Sequence, residues 1–228
     1  MDTLRPSRAP AWLRPAVARL PQATAYARNL LGVDEQNPPR GKRAAAVLLL
    51  FAGDSRDEAQ LLLTHRSPTM RSHPGQIALP GGRVDPEDRS VVACALREAW
   101  EETAARAEDI TPLGVLGALH VSANNHPVHP VLAHWHSPSP VFPHSEVEVD
   151  DVFSASVDEL LAQRIQVGAG NYRGPAFWHN GYLVWGFTAS VIESVLVAAE
   201  WAEELDPHGP VEDLAGALDA SRNQERRR

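Results

Sequence analysis

The 228-residue chain contains one cysteine, two methionines and three tyrosines, and positive charge is in deficit: 21 Lys and Arg against 29 Asp and Glu, a formal net charge of −8. A single cysteine excludes an intrachain disulfide framework and fits a reducing compartment. The acidic balance argues against a protein held to nucleic acid by electrostatics. No apolar run approaches the roughly 20 residues needed to span a bilayer, and the N-terminus lacks a charged-then-apolar signal pattern. A cytoplasmic location with no membrane partner is the expectation. At 43% hydrophobic residues the composition is that of a globular protein, and the length suits one catalytic domain with extensions.

What is abundant is organised around Leu79–Ala105. A glycine turn there, Pro80-Gly81-Gly82, leads into an acid-rich helix. Glu98, Glu101 and Glu102 are spaced i, i+3 and i+4, so on a helix they share an arc of about 100°. Val92, Leu96, Ala99 and Thr103 fall on the opposite side, with Trp100 beside them, and are expected to pack on a core. Like charges at this spacing repel by a few tenths of a kcal/mol per pair. A hard cation such as Mg²⁺ or Mn²⁺ would remove that cost, because it takes oxygen ligands. A solvated acidic face is the alternative reading of the glutamates alone.

Along the chain, residues 1–42 form a Pro/Arg-rich arm, broken repeatedly by proline and limited to short helices near Ala11–Leu20 and Ala23–Leu31. Trp12, Leu13, Leu20, Leu30 and Leu31 give the arm an apolar side for docking on the core or on a second subunit, the latter making a homodimer. Asn37–Gly41 reads as a linker. Strands are expected at Ala44–Phe51, Ala59–His65, Gln76–Leu79, Leu113–Val121, Pro130–Trp135 and Val147–Ser154. A short helix follows at Val157–Ala162. Ala176–His179 and Tyr182–Leu183 read as a small hairpin, and Phe187–Leu205 as a long amphipathic helix. Residues 43–205 would thus be the catalytic domain and 206–228 a C-terminal extension, ending in a charged tail that frays from Arg222. Strands interleaved with long helices imply an α/β layered fold.

The segment Gly82-x5-Asp88-x8-Arg97-Glu98-Ala99-Trp100-Glu101-Glu102 resembles the Nudix hydrolase box, G-x5-E-x7-R-E-U-x-E-E-x-G-U. It departs from it in Asp88, in a spacer one residue longer, and in Ala104 where the family has Gly. The first two departures resemble the coenzyme A pyrophosphatase branch. A left-handed Ala104 would cost about 1 kcal/mol relative to Gly; otherwise the helix runs on towards Glu108. Upstream, Leu62-Leu63-Thr64-His65-Arg66-Ser67, Arg71, Gly75 and Pro80-Gly81-Gly82 are similar to the element L-L-T-x-R-S-x3-R-x3-G-x3-F-P-G-G of the same branch, with Leu79 in place of Phe.

The resemblance implies a Nudix fold, a mixed β-sheet between helices with the box as loop–helix–loop. It implies metal-dependent hydrolysis of a pyrophosphate bond in a nucleotide-containing small molecule. Glu98, Glu101 and Glu102 would be the catalytic and metal-binding carboxylates, joined by the Gly82 carbonyl, with Mg²⁺ or Mn²⁺ as cofactor. Arg97 and Asp88 would form a structural ion pair fastening loop to helix. Arg66 and Arg71 would contact the phosphates of a coenzyme A-like substrate, since a guanidinium suits bidentate phosphate binding. Glu148 resembles a Glu-Val position that helps place metal or water in some Nudix domains. ADP-ribose, a dinucleoside polyphosphate, or a non-catalytic nucleotide-binding role are the alternatives. His120, His126, His129, His134 and His136 lack the tight spacing of a metal site and read as strand-surface imidazoles. Trp185-Gly186-Phe187 reads as core, Cys94 as small packing, and Asn124 and Asn125 as a turn or substrate loop.

Overall fold

The computed structural model describes residues 3–33, 43–120, 126–145 and 147–225. The Asn37–Gly41 linker and the Asn124/Asn125 loop lie outside them. In chain order the elements are α1 (Arg14–Ala18), α2 (Leu20–Leu30), β1 (Ala45–Ala52), β2 (Gln60–Arg66), β3 (Ile77–Ala78), β4 (Gly81–Arg83) and α3 (Val91–Thr103). Next come β5 (Ile110–Val115), β6 (Leu119–His120), β7 (Pro127–Trp135), β8 (Val149–Ser156), α4 (Val157–Ala162) and β9 (Arg164–Ala169). The chain continues through β10 (Tyr172–His179), β11 (Tyr182–Trp185), α5 (Gly186–Ala198), β12 (Glu212–Asp213) and α6 (Leu214–Ala220).

One mixed sheet runs β3-β2-β1-β7-β5, with β4 beside β1, β6 beside β7 and β8 beside β2; a second runs β11-β10-β9-β12. β1 lies parallel to β7 from Ala45↔Val128 to Ala52↔Trp135 and antiparallel to β2. Its two-residue period explains the layering. Ala46, Leu48, Leu50 and Ala52 join α3 in one core. Leu49 and Phe51 point the other way, into a core shared with α5 and the N-terminal helices. Both faces being covered, the strand is apolar throughout instead of alternating.

The N-terminal arm belongs to that second core. Leu13, Ala16, Ala23 and Ala27 are buried, Thr24 Oγ1 accepts from Gly117 N at 3.0 Å, and Arg19 reaches Glu200 on the far side of α5. Trp12, Leu20 and Leu31 pack against the same core, while Leu4 is 40% exposed. The long helix ends earlier than its periodicity suggested. α5 stops at Ala198, with Glu200 in the left-handed region (φ 63°) and Trp201 N bonded to Leu196 O at 3.0 Å, the six-to-one bond of a Schellman cap. Nor is it amphipathic: ten of its residues, Glu193 included, are buried. Arg164 Nε donates to the Glu193 carboxylate at 2.9 Å, which makes that burial tolerable. The sequence reading missed β9, whose RIQVGA alternates too weakly to stand out. It also misjudged the tail, since residues 222–225 are tied down and only 226–228 lie beyond the described chain.

Candidate active site

The site is built where β4 meets α3. β4 pairs with β1 through Ala46↔Gly82 and Val47↔Gly81. That approach is so close that a Cβ on Gly81 would sit 2.3 Å from the Ala46 carbonyl oxygen. A Cβ on Gly82 would lie 2.5 Å from the Glu98 carboxylate. The absent side chain is what lets that carboxylate rest against the turn. α3 opens at Ser90, whose Oγ accepts from Ala93 N at 3.1 Å, a sound N-cap. Val92, Leu96, Ala99 and Thr103 are buried as the spacing predicts, but Trp100 is 43% exposed. It stands beside His144 in an edge-on contact rather than in the core.

The helix ends as the family Gly would end it. Ala104 takes φ 61°, ψ 14°, and its N–H bonds to Trp100 O at 2.9 Å. A left-handed L-residue costs about 1–2 kcal/mol, whereas deleting its buried methyl forfeits about 0.8 kcal/mol. Strain relief wins narrowly. Ala104→Gly is therefore expected to raise Tm by about 1–2 °C in a thermal melt; a fall would mean that methyl packing dominates.

The three glutamates part company. Glu102 is 4% exposed and accepts from Gly81 N at 3.0 Å through Oε2. Burial pushes its carboxyl up to about 8, against the pull of the Gly81 N–H and the Arg66 charge and with the help of the Glu98 and Glu148 charges. Glu98 is raised as well, chiefly by burial. Glu101 is half exposed and turned to Arg97, which reaches its Oε2 at 2.9 Å. The neighbouring Cys94 thiol is driven up to about 12 by burial and by the Asp88 and Glu98 charges, so it is packing and not a nucleophile.

Arg97 braces this region. It grips Asp88 with Nε at 3.1 Å and Nη2 at 2.8 Å, donates to the Arg83 carbonyl at 3.1 Å, and meets Glu98 Oε1 at 3.0 Å. The pairing lowers the Asp88 carboxyl. Loop and helix are thereby joined by a bidentate pair.

The donor set fits a hard divalent cation: carboxylates and carbonyls, oxygen throughout, with the Glu98 charge adding to the upward push on Glu102. Among the described residues no three such side chains already enclose one point. The Arg97 guanidinium is in contact with both Glu98 and Glu101. Glu148, exposed on the approach to β8, is within electrostatic reach of both Glu98 and Glu102.

A cavity of about 490 Å³ opens from Gly81. Arg66, Gln76 and Leu79 line one side of it, Tyr172, Trp185, Phe187 and Thr188 another, and Leu30 and Leu31 at the C-terminal end of α2 also border it. Trp185 and Phe187 thus combine core packing with a place in the wall. Arg66 donates to Met70 Sδ at 3.1 Å, while its buried Nε has no acceptor among the described residues. Arg71 is exposed on the same loop and outside this lining. A second concavity, about 550 Å³, flanks α3 between Arg89, Trp100 and Arg106; none of the glycine turn borders it. The strand histidines do not converge. His129 and His134 are kept below their ordinary values by burial.

A sheet layered between helices, with a glycine turn set against one buried and one half-buried carboxylate beside a cavity that reaches Gly81, defines a hydrolase of the Nudix type. The chain belongs to that family: the NUDIX domain model matches residues 41–173. It is similar to the uncharacterized Nudix hydrolase NudL of Enterobacter sp. (strain 638), 38% identical over 166 residues, 68% of this chain and 81% of that one. NudL of Yersinia pestis (strain Pestoides F) is 36% identical over 66% of this chain and 76% of its own. Among solved structures, RenU from M. smegmatis superposes with a TM-score of 0.51 at 19% identity, covering 73% of this chain and 91% of that one, a likeness of fold. Nudix hydrolases are pyrophosphohydrolases that bind nucleotide-containing small molecules and typically use divalent metals.

Proposed function

We propose that the protein hydrolyses the pyrophosphate bond of coenzyme A or an acyl derivative, giving (acyl-)phosphopantetheine and adenosine 3′,5′-bisphosphate. The observation that carries this reading is the placement of Arg66. The residue at the head of the arginine-bearing signature lines the cavity that begins at the glycine turn, with an unused buried donor and within electrostatic reach of Glu102. In the reaction water adds to one phosphorus and the bridging P–O bond breaks, leaving two phosphate monoesters. A Mg²⁺ or Mn²⁺ held by Glu98, Glu102 and the Gly82 carbonyl, with Glu101 beside them, would lower the pKa of water and offset charge on the phosphoryl oxygens. Arg66 orients the pyrophosphate, and Arg71 serves at the rim of the same loop. Asp88 and Arg97 keep the turn against the helix. One of the glutamates takes the proton that water releases. Among the described residues no helix is long and apolar enough to cross a membrane.

The test is a substrate panel with Mn²⁺: coenzyme A, acetyl coenzyme A, ADP-ribose and dinucleoside polyphosphates. Coenzyme A is expected to be turned over fastest, and negligible turnover beside rapid ADP-ribose cleavage would sink the reading. Arg66→Ala removes a charge-assisted contact and is expected to raise KM for coenzyme A about 10- to 100-fold.

A further inference from the structure

The C-terminal tail reads as a polar, fraying end, yet Asn223 is wholly buried. Its side-chain amide accepts from Leu183 N at 2.9 Å and donates to Leu183 O at 2.8 Å, so it pairs with β11 as a neighbouring strand residue would. Its backbone carbonyl accepts from His65 Nε2 at 2.9 Å. Glu225 goes further. One carboxylate oxygen accepts from Trp185 Nε1 and from Asn223 Nδ2, each at 2.8 Å, and the other from Gln76 Nε2 at 3.3 Å. Gln76 and Trp185 stand on two different walls of the 490 Å³ cavity.

We propose that Asn223 and Glu225 are positioning residues of the substrate cavity: they tie the Arg66–Gln76 loop to the β11–α5 wall and so fix the place of Arg66. The tie reaches Arg66 through the backbone, since Arg66 N donates to Gln76 O at 2.9 Å and Gly75 N to Arg66 O at 3.0 Å. Gly75 of the signature element has a matching reason to be glycine. At φ 76° a Cβ there would lie 2.2 Å from the Asn223 carbonyl oxygen. The loop and the tail are shaped for each other. Asn223 and Glu225 act through hydrogen bonds to His65, Gln76, Leu183 and Trp185, and α3 takes no part in these contacts.

The kinetic consequence rests on the proposed substrate site; the structural one does not. Hydrogen exchange followed by mass spectrometry separates them, with full-length wild type, Asn223→Ala, Glu225→Ala and Glu225→Gln. Each alanine variant removes three such bonds, and since one alone corresponds to about tenfold faster local opening, an acceleration of about tenfold or more follows. That acceleration is expected at residues 66–78 and 183–188 in both alanine variants, with α3 unchanged. On the best substrate of the panel KM should rise about tenfold while kcat stays nearly constant. Glu225→Gln, which retains an acceptor for Trp185, should recover most of both effects. Unchanged exchange in these segments overturns the proposal, as does acceleration that spreads equally through α3. Local acceleration with unaltered KM would keep the tie and overturn the placing of substrate in this cavity.

Discussion

Glu102→Gln is expected to lower kcat by about 10³-fold, which corresponds to roughly 4 kcal/mol of lost transition-state stabilisation, while leaving the fold intact. Gln keeps an oxygen that can accept from Gly81 N, as the Glu102 carboxylate does. It removes the charge. If Glu102 only pinned the glycine turn, the substitution would be nearly silent in kinetics. If its charge holds a cation, activity collapses, while the metal-free melting temperature stays level below about pH 8, where the folded Glu102 carboxyl already carries a proton, and rises above it, where the wild type must bury a charge. The checks are a steady-state assay with saturating Mn²⁺ and a melt in EDTA. Activity within tenfold of wild type removes Glu102 from the chemistry. Glu101, half exposed and paired with Arg97, should respond far less to the same change.

That ranking of the glutamates was only partly legible in the sequence. Spacing put all three on one face, and the family box favoured Glu98 and Glu102, but burial separates them, and burial depends on β4 lying against β1. Local pattern was reliable where the element is apolar and bounded by breakers, as in β1, β2 and the N-capped α3. It failed where tertiary contact overrides composition. α5 carries Ser190, Glu193 and Ser194 inside the protein, the first and last bonded back to Gly186 O and Val191 O, so no amphipathic period announces its true length. Asn223 and Glu225 sit among arginines in a stretch any compositional reading would release to solvent. Arg66 and Arg71 look equivalent in the signature. Only the loop closing over Gly75 turns one of them to the cavity and leaves the other outside.

The pH dependence of stability gives the second large effect. In the folded, metal-free protein Glu102 titrates near 8 instead of near its ordinary 4.5. Between those values the folded state holds a proton that the unfolded state has released. Stability from this group is therefore complete below about pH 4.5 and is lost as pH rises through about 8. Glu98, Glu193 and Glu225 are raised too and act with the same sign. Two groups of opposite effect need to be set aside. Asp88 is lowered, so its contribution is lost only in acid below the window. His120, His129, His134 and His179 are depressed; they add stability as pH climbs towards 6.5 and nothing above it. From pH 6.5 to 8 the raised acids act alone, and denaturant unfolding in EDTA is expected to show a loss on the order of 1–2 kcal/mol. Glu102→Gln should remove most of that slope. Saturating Mg²⁺ should flatten it in the wild type, because a cation replaces the proton and binds better as the carboxylates ionise. The stabilisation by Mg²⁺ would then grow with pH over the same interval. A metal-free profile that is flat or rising from 6.5 to 8, or a Glu102→Gln slope equal to wild type, would show that the buried carboxylate is compensated within the protein and that no cation is needed to hold it.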